Sequence, residues 1–318
     1  MSSVLTNHYL VYTMSTTFNT ILNDMKTSLR QAYGSALSYF LANLGLLIVV
    51  SIIGAFIAIP VLVLAFIALS PLTEASMTAM AAWASSNPLA IGGLAVLIMI
   101  PLVALFLTVT GSIYGMTHSL VTRGETKAET AFSYLKRKFF TFMGTGALLT
   151  IIVVLPPVIA WGLTSYAMGY VITAAASAPL TIFTFVWIYL TSGLTATVFP
   201  AVVNGKHVLD AFKESFSLAT KYFDRIFGLL TAIVLLLAAT FGPVIIAGLA
   251  MAYTTIPPIT VFSPLIPALA GVALWTVVSV FLWLFLFLPM VRIAWTRVYQ
   301  ELTGGTIASQ VPAEVPIV

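Results

Sequence analysis

Side chains able to do acid–base, metal or nucleophilic chemistry are few in this 318-residue sequence, and their spacing argues against each of those uses. The three histidines, His8, His118 and His207, stand far apart and in no metal-ligand spacing. The nine carboxylates are too sparse for a paired acid–base site. Asp210 and Glu214 come closest, one helical turn apart, but both fall on the polar face of their helix. The absence of cysteine removes disulfides, thiol catalysis, iron–sulfur clusters and thiolate metal sites. There is no HExxH, GxSxG or P-loop, and no GxGxxG opening a helix. The expectation is a non-enzymatic protein with no catalytic residue, no cofactor and no metal.

What remains is cationic chemistry. Arg123, Lys127, Lys136, Arg137, Lys138, Lys206, Lys213, Lys221 and Arg225 sit in charged stretches that lead into apolar runs. Such residues attract anionic lipid headgroups, at about 1 kcal/mol each near a membrane surface, or contact a partner protein. Their plainer use is to set membrane topology, and both readings are open. Within the apolar runs no ionisable residue lies near a centre, where it would mark an ion or proton path. His118, near the end of one run, reads as interfacial, and Asn43 as a helix–helix hydrogen bond. Thr184, Thr191, Ser192, Gly193, Thr195 and Thr197 could line a polar path, but small residues that let helices approach closely are the better account. The prolines at 60, 101, 156, 157, 200, 243 and 289 could hinge helices or bare carbonyls, or merely reflect how common proline is in membrane helices. The six tryptophans read as interfacial anchors and packing.

The elements that must position these cations follow from periodicity. Val208, Ala211, Phe212, Phe216, Ala219, Phe223 and Ile226 share one helical face, and Lys206, Asp210, Lys213, Glu214, Ser217, Thr220, Lys221 and Asp224 fill the other. From Gly228 an uncharged run to Ala252 is long enough to cross a hydrocarbon core of roughly 30 Å. A two-faced helix feeding a span lies either in the headgroup layer, apolar face down, or packed on the ends of its neighbours. Shifted by 183 residues, Arg30 falls on Lys213, Tyr33 on Phe216, Gly45 on Gly228 and Pro60 on Pro243 without a gap. A fainter copy matches Ala131-Phe132 to Ala211-Phe212 and Lys138-Phe139-Phe140 to Lys221-Tyr222-Phe223, with a gap of three residues between the matches.

The fold class predicted is an all-α integral membrane protein whose six transmembrane helices form three parallel repeats, each an amphipathic helix plus a helical hairpin. At 60% hydrophobic and 7% charged, the chain is far from the roughly 25% charge of soluble domains. Spans are expected near 41–69, 88–118, 139–168, 180–203, 228–252 and 268–294, with loops at 70–87 and 254–267. The domain division is an arm at 1–24, a membrane domain at 25–298 (units 25–120, 121–203 and 204–298), and a tail at 299–318. The arm lacks the layout of a signal peptide. All 13 Lys and Arg fall between the hairpins or at the chain's two ends, and the three opposite loops hold none. Positive residues stay cytoplasmic, so the expected location is the cell membrane, with both termini and all three amphipathic segments inside. The net charge of +4 is explained by this asymmetry, with no nucleic-acid partner implied.

The run GKHVLDAFKESFSLATKYF, followed by a span, resembles the six-helix membrane domain that accompanies some glycerophosphodiester phosphodiesterases, and its stand-alone prokaryotic and archaeal relatives. Gly205, Asp210, Ala211, Phe212, Lys213 and Ser215 carry the likeness. It implies six helices and cytoplasmic termini, with no catalytic residue in the membrane part. The phosphodiesterase barrel is absent from this sequence, and its activity does not transfer. The function expected is a scaffold or subunit of a membrane complex, its partners membrane lipids and other membrane-protein subunits. The alternative is the permease subunit of an ATP-driven transporter, with 206–223 as coupling helix. An enzyme acting on lipid has least support, since no nucleophile–base pair can be named.

Overall fold

The computed structural model describes residues 2–69, 74–169, 172–253 and 265–308. In chain order its helices are α1 (Ser2–Leu69), α2 (Glu74–Ser86), α3 (Pro88–Arg123), α4 (Ala128–Leu149), α5 (Leu155–Ala167), α6 (Ala174–Thr195), α7 (Val198–Val203), α8 (Val208–Lys221), α9 (Phe223–Tyr253), α10 (Leu265–Leu282) and α11 (Leu288–Thr303). No strand occurs among the described residues. Among the described residues, six helical segments are long and apolar enough to cross a membrane: Phe18–Phe56, Pro88–Arg123, Ala128–Ala167, Ala175–Val203, Phe223–Gly248 and Leu269–Thr303. The protein is thus an all-α, multi-pass membrane protein.

The segment division differs from the expected one at several places. The arm, the first amphipathic helix and span one form one helix of 68 residues, about 100 Å long. Ile21, Asp24, Ser28, Ala32, Ser35, Tyr39, Ala42, Leu46 and Val50 succeed one another at three- and four-residue steps, and all are buried. One unbroken stripe therefore serves both the charged and the apolar stretch, and no proline precedes Pro60 to stop the helix. The loop expected at 70–87 contains helix α2. It ends at Asn87, whose side-chain amide donates to the Trp83 carbonyl at 2.9 Å while its own carbonyl accepts from the N–H of Ala90 and Ile91. Pro88 then occupies the first position of α3, where its missing N–H costs nothing. Most of the loop expected at 254–267, and the last ten residues of the tail, lie outside the described residues.

Proline shapes the spans where its missing N–H strands a carbonyl four residues back. Before Pro156 and Pro157 the helix slips into a π turn at Thr150–Val154, and before Pro289 into another at Trp283–Phe287. Before Pro200 the expected fourth span breaks at Ala196–Thr197 into α6 and α7. The Trp187 indole donates to the Ile152 carbonyl, the one that Pro156 leaves without a donor, at 3.0 Å. Trp275 donates to the Thr240 carbonyl, three residues before Pro243, also at 3.0 Å. Trp161 donates to Thr184 Oγ1 at 2.9 Å. These three tryptophans act as cross-helix donors, a role beyond the interfacial anchoring and packing that the sequence alone suggested.

The chain separates into two compact units, one of Met1–Phe40, Val121–Glu125 and Leu218–Val318, the other of Leu41–Leu120 and Thr126–Ser217. In the second, small residues set how closely helices approach. A Cβ on Gly111 would strike the Phe142 ring, and one on Gly115 the Tyr134 ring, so two adjacent turns of α3 receive aromatic side chains from α4. A Cβ on Gly146 would stand 3.0 Å from the Ala104 backbone. Close approach of this kind is how helices pack where hydrocarbon gives no hydrophobic drive.

Candidate functional site

The amphipathic segments bury part of their apolar faces within the protein, while Tyr33, Phe140 and Phe223 stay exposed. In α8, Ala211, Phe212, Ser215, Leu218 and Ala219 are buried while Asp210, Lys213, Ser217, Thr220 and Lys221 are exposed. In α4, Ala131 and Leu135 are buried while Lys136 and Arg137 are exposed. An inner face covered by protein favours packing on neighbouring helices over lying apolar-side-down in lipid. Of the nine cations singled out in the sequence, Arg123, Lys127, Lys136, Arg137, Lys206, Lys213 and Lys221 are exposed. Arg137 is steadied by its own helix: Nη2 donates to Ser133 Oγ at 2.8 Å, and the guanidinium lies 5.6 Å from the centre of the Tyr134 ring. Lys221 Nζ stands 5.2 Å from the Tyr222 ring centre. Lys206 pairs with Glu214 at 3.1 Å across the start of α8.

The other two cations turn inward. Lys138 interrupts the helical backbone of α4 (φ −123°, ψ 19°). Its ammonium donates to the carbonyls of Val202 at 2.6 Å and Val203 at 3.2 Å. These are the last carbonyls of α7, beyond the reach of its own N–H groups; that of Val202 also accepts from the Gly205 N–H at 3.1 Å. A cation at a helix C-terminus meets both those carbonyls and the negative end of the helix dipole. All six residues of α7 are buried, so an uncapped end there would be expensive. The same corner is tied twice more. The His118 ring lies 2.9 Å through Nε2 from Asn204 Oδ1. Ser215 of α8 donates to the Leu194 carbonyl of α6 at 2.7 Å and accepts from the Thr197 hydroxyl at 3.0 Å. Gly205 makes the turn into α8 at φ +101°, in the left-handed region that favours glycine.

Arg225, at the start of α9, forms ion pairs with Asp24 of α1 and with Glu301 of α11, the latter at 2.7 Å. Arg297 of α11 lies in the same electrostatic neighbourhood, its charge acting on Asp24. Arg297 is buried, and its Nε and Nη1 have no hydrogen-bond partner. Two guanidinium and two carboxylate groups thus gather in the first unit from α1, α9 and α11, formally neutral together. Sequence reasoning placed Arg225 on the surface, Asp24 at the edge of an arm and Arg297 beyond the last span. One signal pointed elsewhere: Asp24 falls on the same helical stripe as Ile21, Ala32 and Tyr39.

The hydroxyl stripe of the fourth span offers no open polar path. Thr184, Thr191 and Thr195 each donate to a carbonyl one turn back on their own helix, at 2.6–2.7 Å. Thr108, Ser112, Thr117 and Thr145 do the same on α3 and α4, and Thr150 at the start of the π turn that follows. Hydroxyls so engaged act as small packing residues. The chemistry on offer is therefore attraction of anions by the exposed cations. Comparison with known proteins sets no relative beside this chain: no family model matches it, and no curated protein or solved structure does.

Proposed function

We propose that this protein is a non-enzymatic scaffold or subunit of a membrane complex, resident in the cell membrane with both termini and its three amphipathic segments on the cytoplasmic side. The observation that carries this reading is the division of labour in the basic segments. Ala131, Leu135, Ala211, Phe212, Leu218 and Ala219 are covered by protein, while Arg123, Lys127, Lys136, Arg137, Lys206, Lys213 and Lys221 are exposed. A collar of such cations recruits anionic headgroups or an acidic protein surface by charge, with no insertion into the bilayer. The asymmetric distribution of all 13 cations supports the orientation. The matched spacing of Arg30 and Lys213 supports a repeated helix-plus-hairpin plan. The proposed kinship with the membrane domain that accompanies glycerophosphodiester phosphodiesterases rests on the run from Gly205 to Ser215 and on the six spans.

Purification from native membranes in mild detergent, with mass spectrometry of what accompanies the protein, tests the proposal. The expected result is a co-purifying protein or an enriched anionic lipid, lost when Lys136, Arg137, Lys213 and Lys221 are changed together to Gln. A solitary protein with neither overturns it, and an ATPase as the companion moves the reading to the permease subunit. Because the chain has no cysteine, Lys136→Cys gives a single thiol whose labelling by a membrane-impermeant reagent reports its side directly. Labelling from outside intact cells would overturn the orientation.

A further inference from the structure

The ion pairs of the first unit are unevenly shared. A single nitrogen of Arg225, Nη2, donates to both Asp24 Oδ2 and Glu301 Oε2. Arg297 is more deeply buried than Arg225, yet its Nε and Nη1 donate to nothing. A guanidinium taken out of water with donors unmade is costly. The carboxylates add a second fault: Asp24 and Glu301 are two anions drawn to one nitrogen, and the charge of each opposes the other.

Unmade polar groups also stand on the helix that carries Asp24. Ser28 Oγ and Gln31 Oε1 are buried without a partner, one and two turns further along α1. On α9, which carries Arg225, no such atom occurs among the described residues. The deficit thus lies on α1 and α11, the two helices that supply Asp24 and Arg297.

One movement relieves both faults. The charge of Arg297 already reaches Asp24. Turning the Asp24 carboxylate onto Arg297 meets unmade donors and parts the two anions. Arg225 keeps Glu301, so each guanidinium then holds one carboxylate. What is given up is one charge-assisted hydrogen bond at Arg225. Each arrangement therefore has a single shortcoming, and a pair of states so matched shares the population. With Arg225 removed altogether, two carboxylates contend for Arg297 and one stays without a counter-ion.

Glu301 alone of the four groups is exposed, so it is the one a cation in the water can reach. Drawn away, it leaves Asp24 as the only carboxylate for Arg225. Returned, it neutralises Arg225 and releases Asp24 to Arg297. We infer that Asp24 exchanges between Arg225 and Arg297 and that Glu301 sets the balance, so that a cationic group binding Glu301 from the water is registered on the buried face of α1. This device does not depend on the scaffold reading or on the basic collar.

The test uses full-length protein in phosphatidylcholine nanodiscs, with arginine labelled by nitrogen-15. The chain has six arginines, so the Nε–H signals are few, and that of Arg297 is the one lost in Arg297→Lys. The unaltered protein is expected to show bonded and free forms of this signal in exchange. Glu301→Gln should lower the bonded-to-free ratio about tenfold, the ratio that 1.4 kcal/mol gives. Asp24→Asn should abolish the bonded form. A purely free signal in the unaltered protein overturns the inference without recourse to any variant. So does a bonded signal that Glu301→Gln leaves unmoved, or one that survives Asp24→Asn. Melting temperature gives a second reading. Arg297→Met is expected to lower it, and to lose that effect in the Asp24→Asn background. A rise in the otherwise unaltered protein, the result for a buried cation that never meets a partner, overturns the exchange as well.

Discussion

Two corners of the molecule, one in each compact unit, draw a cation inward with different partners. In the first, Arg225 meets the carboxylates of Asp24 and Glu301, from two other helices. In the second, Lys138 meets the backbone carbonyls of Val202 and Val203 at the end of one short helix. The residue types suit the tasks. A guanidinium is planar, always charged, and presents five donors in a fork that serves two carboxylates at once. An ammonium is a compact point donor that fits a small group of converging carbonyls. What separates the corners is what remains when the cation is removed: charge in the first, only dipoles in the second.

The largest effect should therefore follow Arg225→Ala. It strands the Asp24 carboxylate, almost wholly buried, and breaking a buried pair in this way costs about 3–5 kcal/mol. The expected outcome is a large fall in melting temperature in detergent, partly recovered by adding Asp24→Asn, which removes the stranded charge. No recovery in the double variant would show that Arg225 acts through packing and would dissolve the contrast. Next comes Lys138→Met, which keeps the length and apolar stem but bares the Val203 carbonyl and leaves that of Val202 with the Gly205 N–H alone. The expected loss is about 1–3 kcal/mol, the usual cost of unsatisfied buried acceptors. Greater protection from hydrogen exchange over α7 in this variant would contradict the capping role. The smallest effect is expected of Lys136→Met, two residues earlier on the same helix but exposed. Its stability should stay within about 0.5 kcal/mol of the unaltered protein, while anionic lipid retained in the purified sample falls. If Lys136→Met and Lys138→Met destabilise equally, their different burial carries no meaning.

Much of the fold was legible in the sequence. The six spans, the two-faced run from Val208 to Ile226 and the clustering of the 13 cations all follow from local composition and the 3.6-residue period. Boundaries were less legible. The joint expected near Asp24 is absent because a stripe of small and apolar residues continues through the charged stretch. The break before Pro200 and the π turns before Pro156 and Pro289 depended on whether a freed carbonyl finds a donor. For Ile152 that donor is Trp187, 35 residues away in sequence. Arg297, which the fold brings close to Asp24, was not singled out in the sequence, and nothing in the spacing of the basic residues set Lys138 apart from Lys136 and Arg137.

The sequence by itself determined which segments partition into hydrocarbon and which stay with water, because transfer from water to lipid is close to a sum over local side chains. Tertiary structure alone decided which charges leave the surface. Whether Arg225 can turn inward depends on Asp24, 201 residues earlier, and whether Lys138 can do so depends on carbonyls at the end of a buried helix 64 residues later. The free energy of a buried charge is set by the partners that surround it, and neither composition nor periodicity records who those partners are.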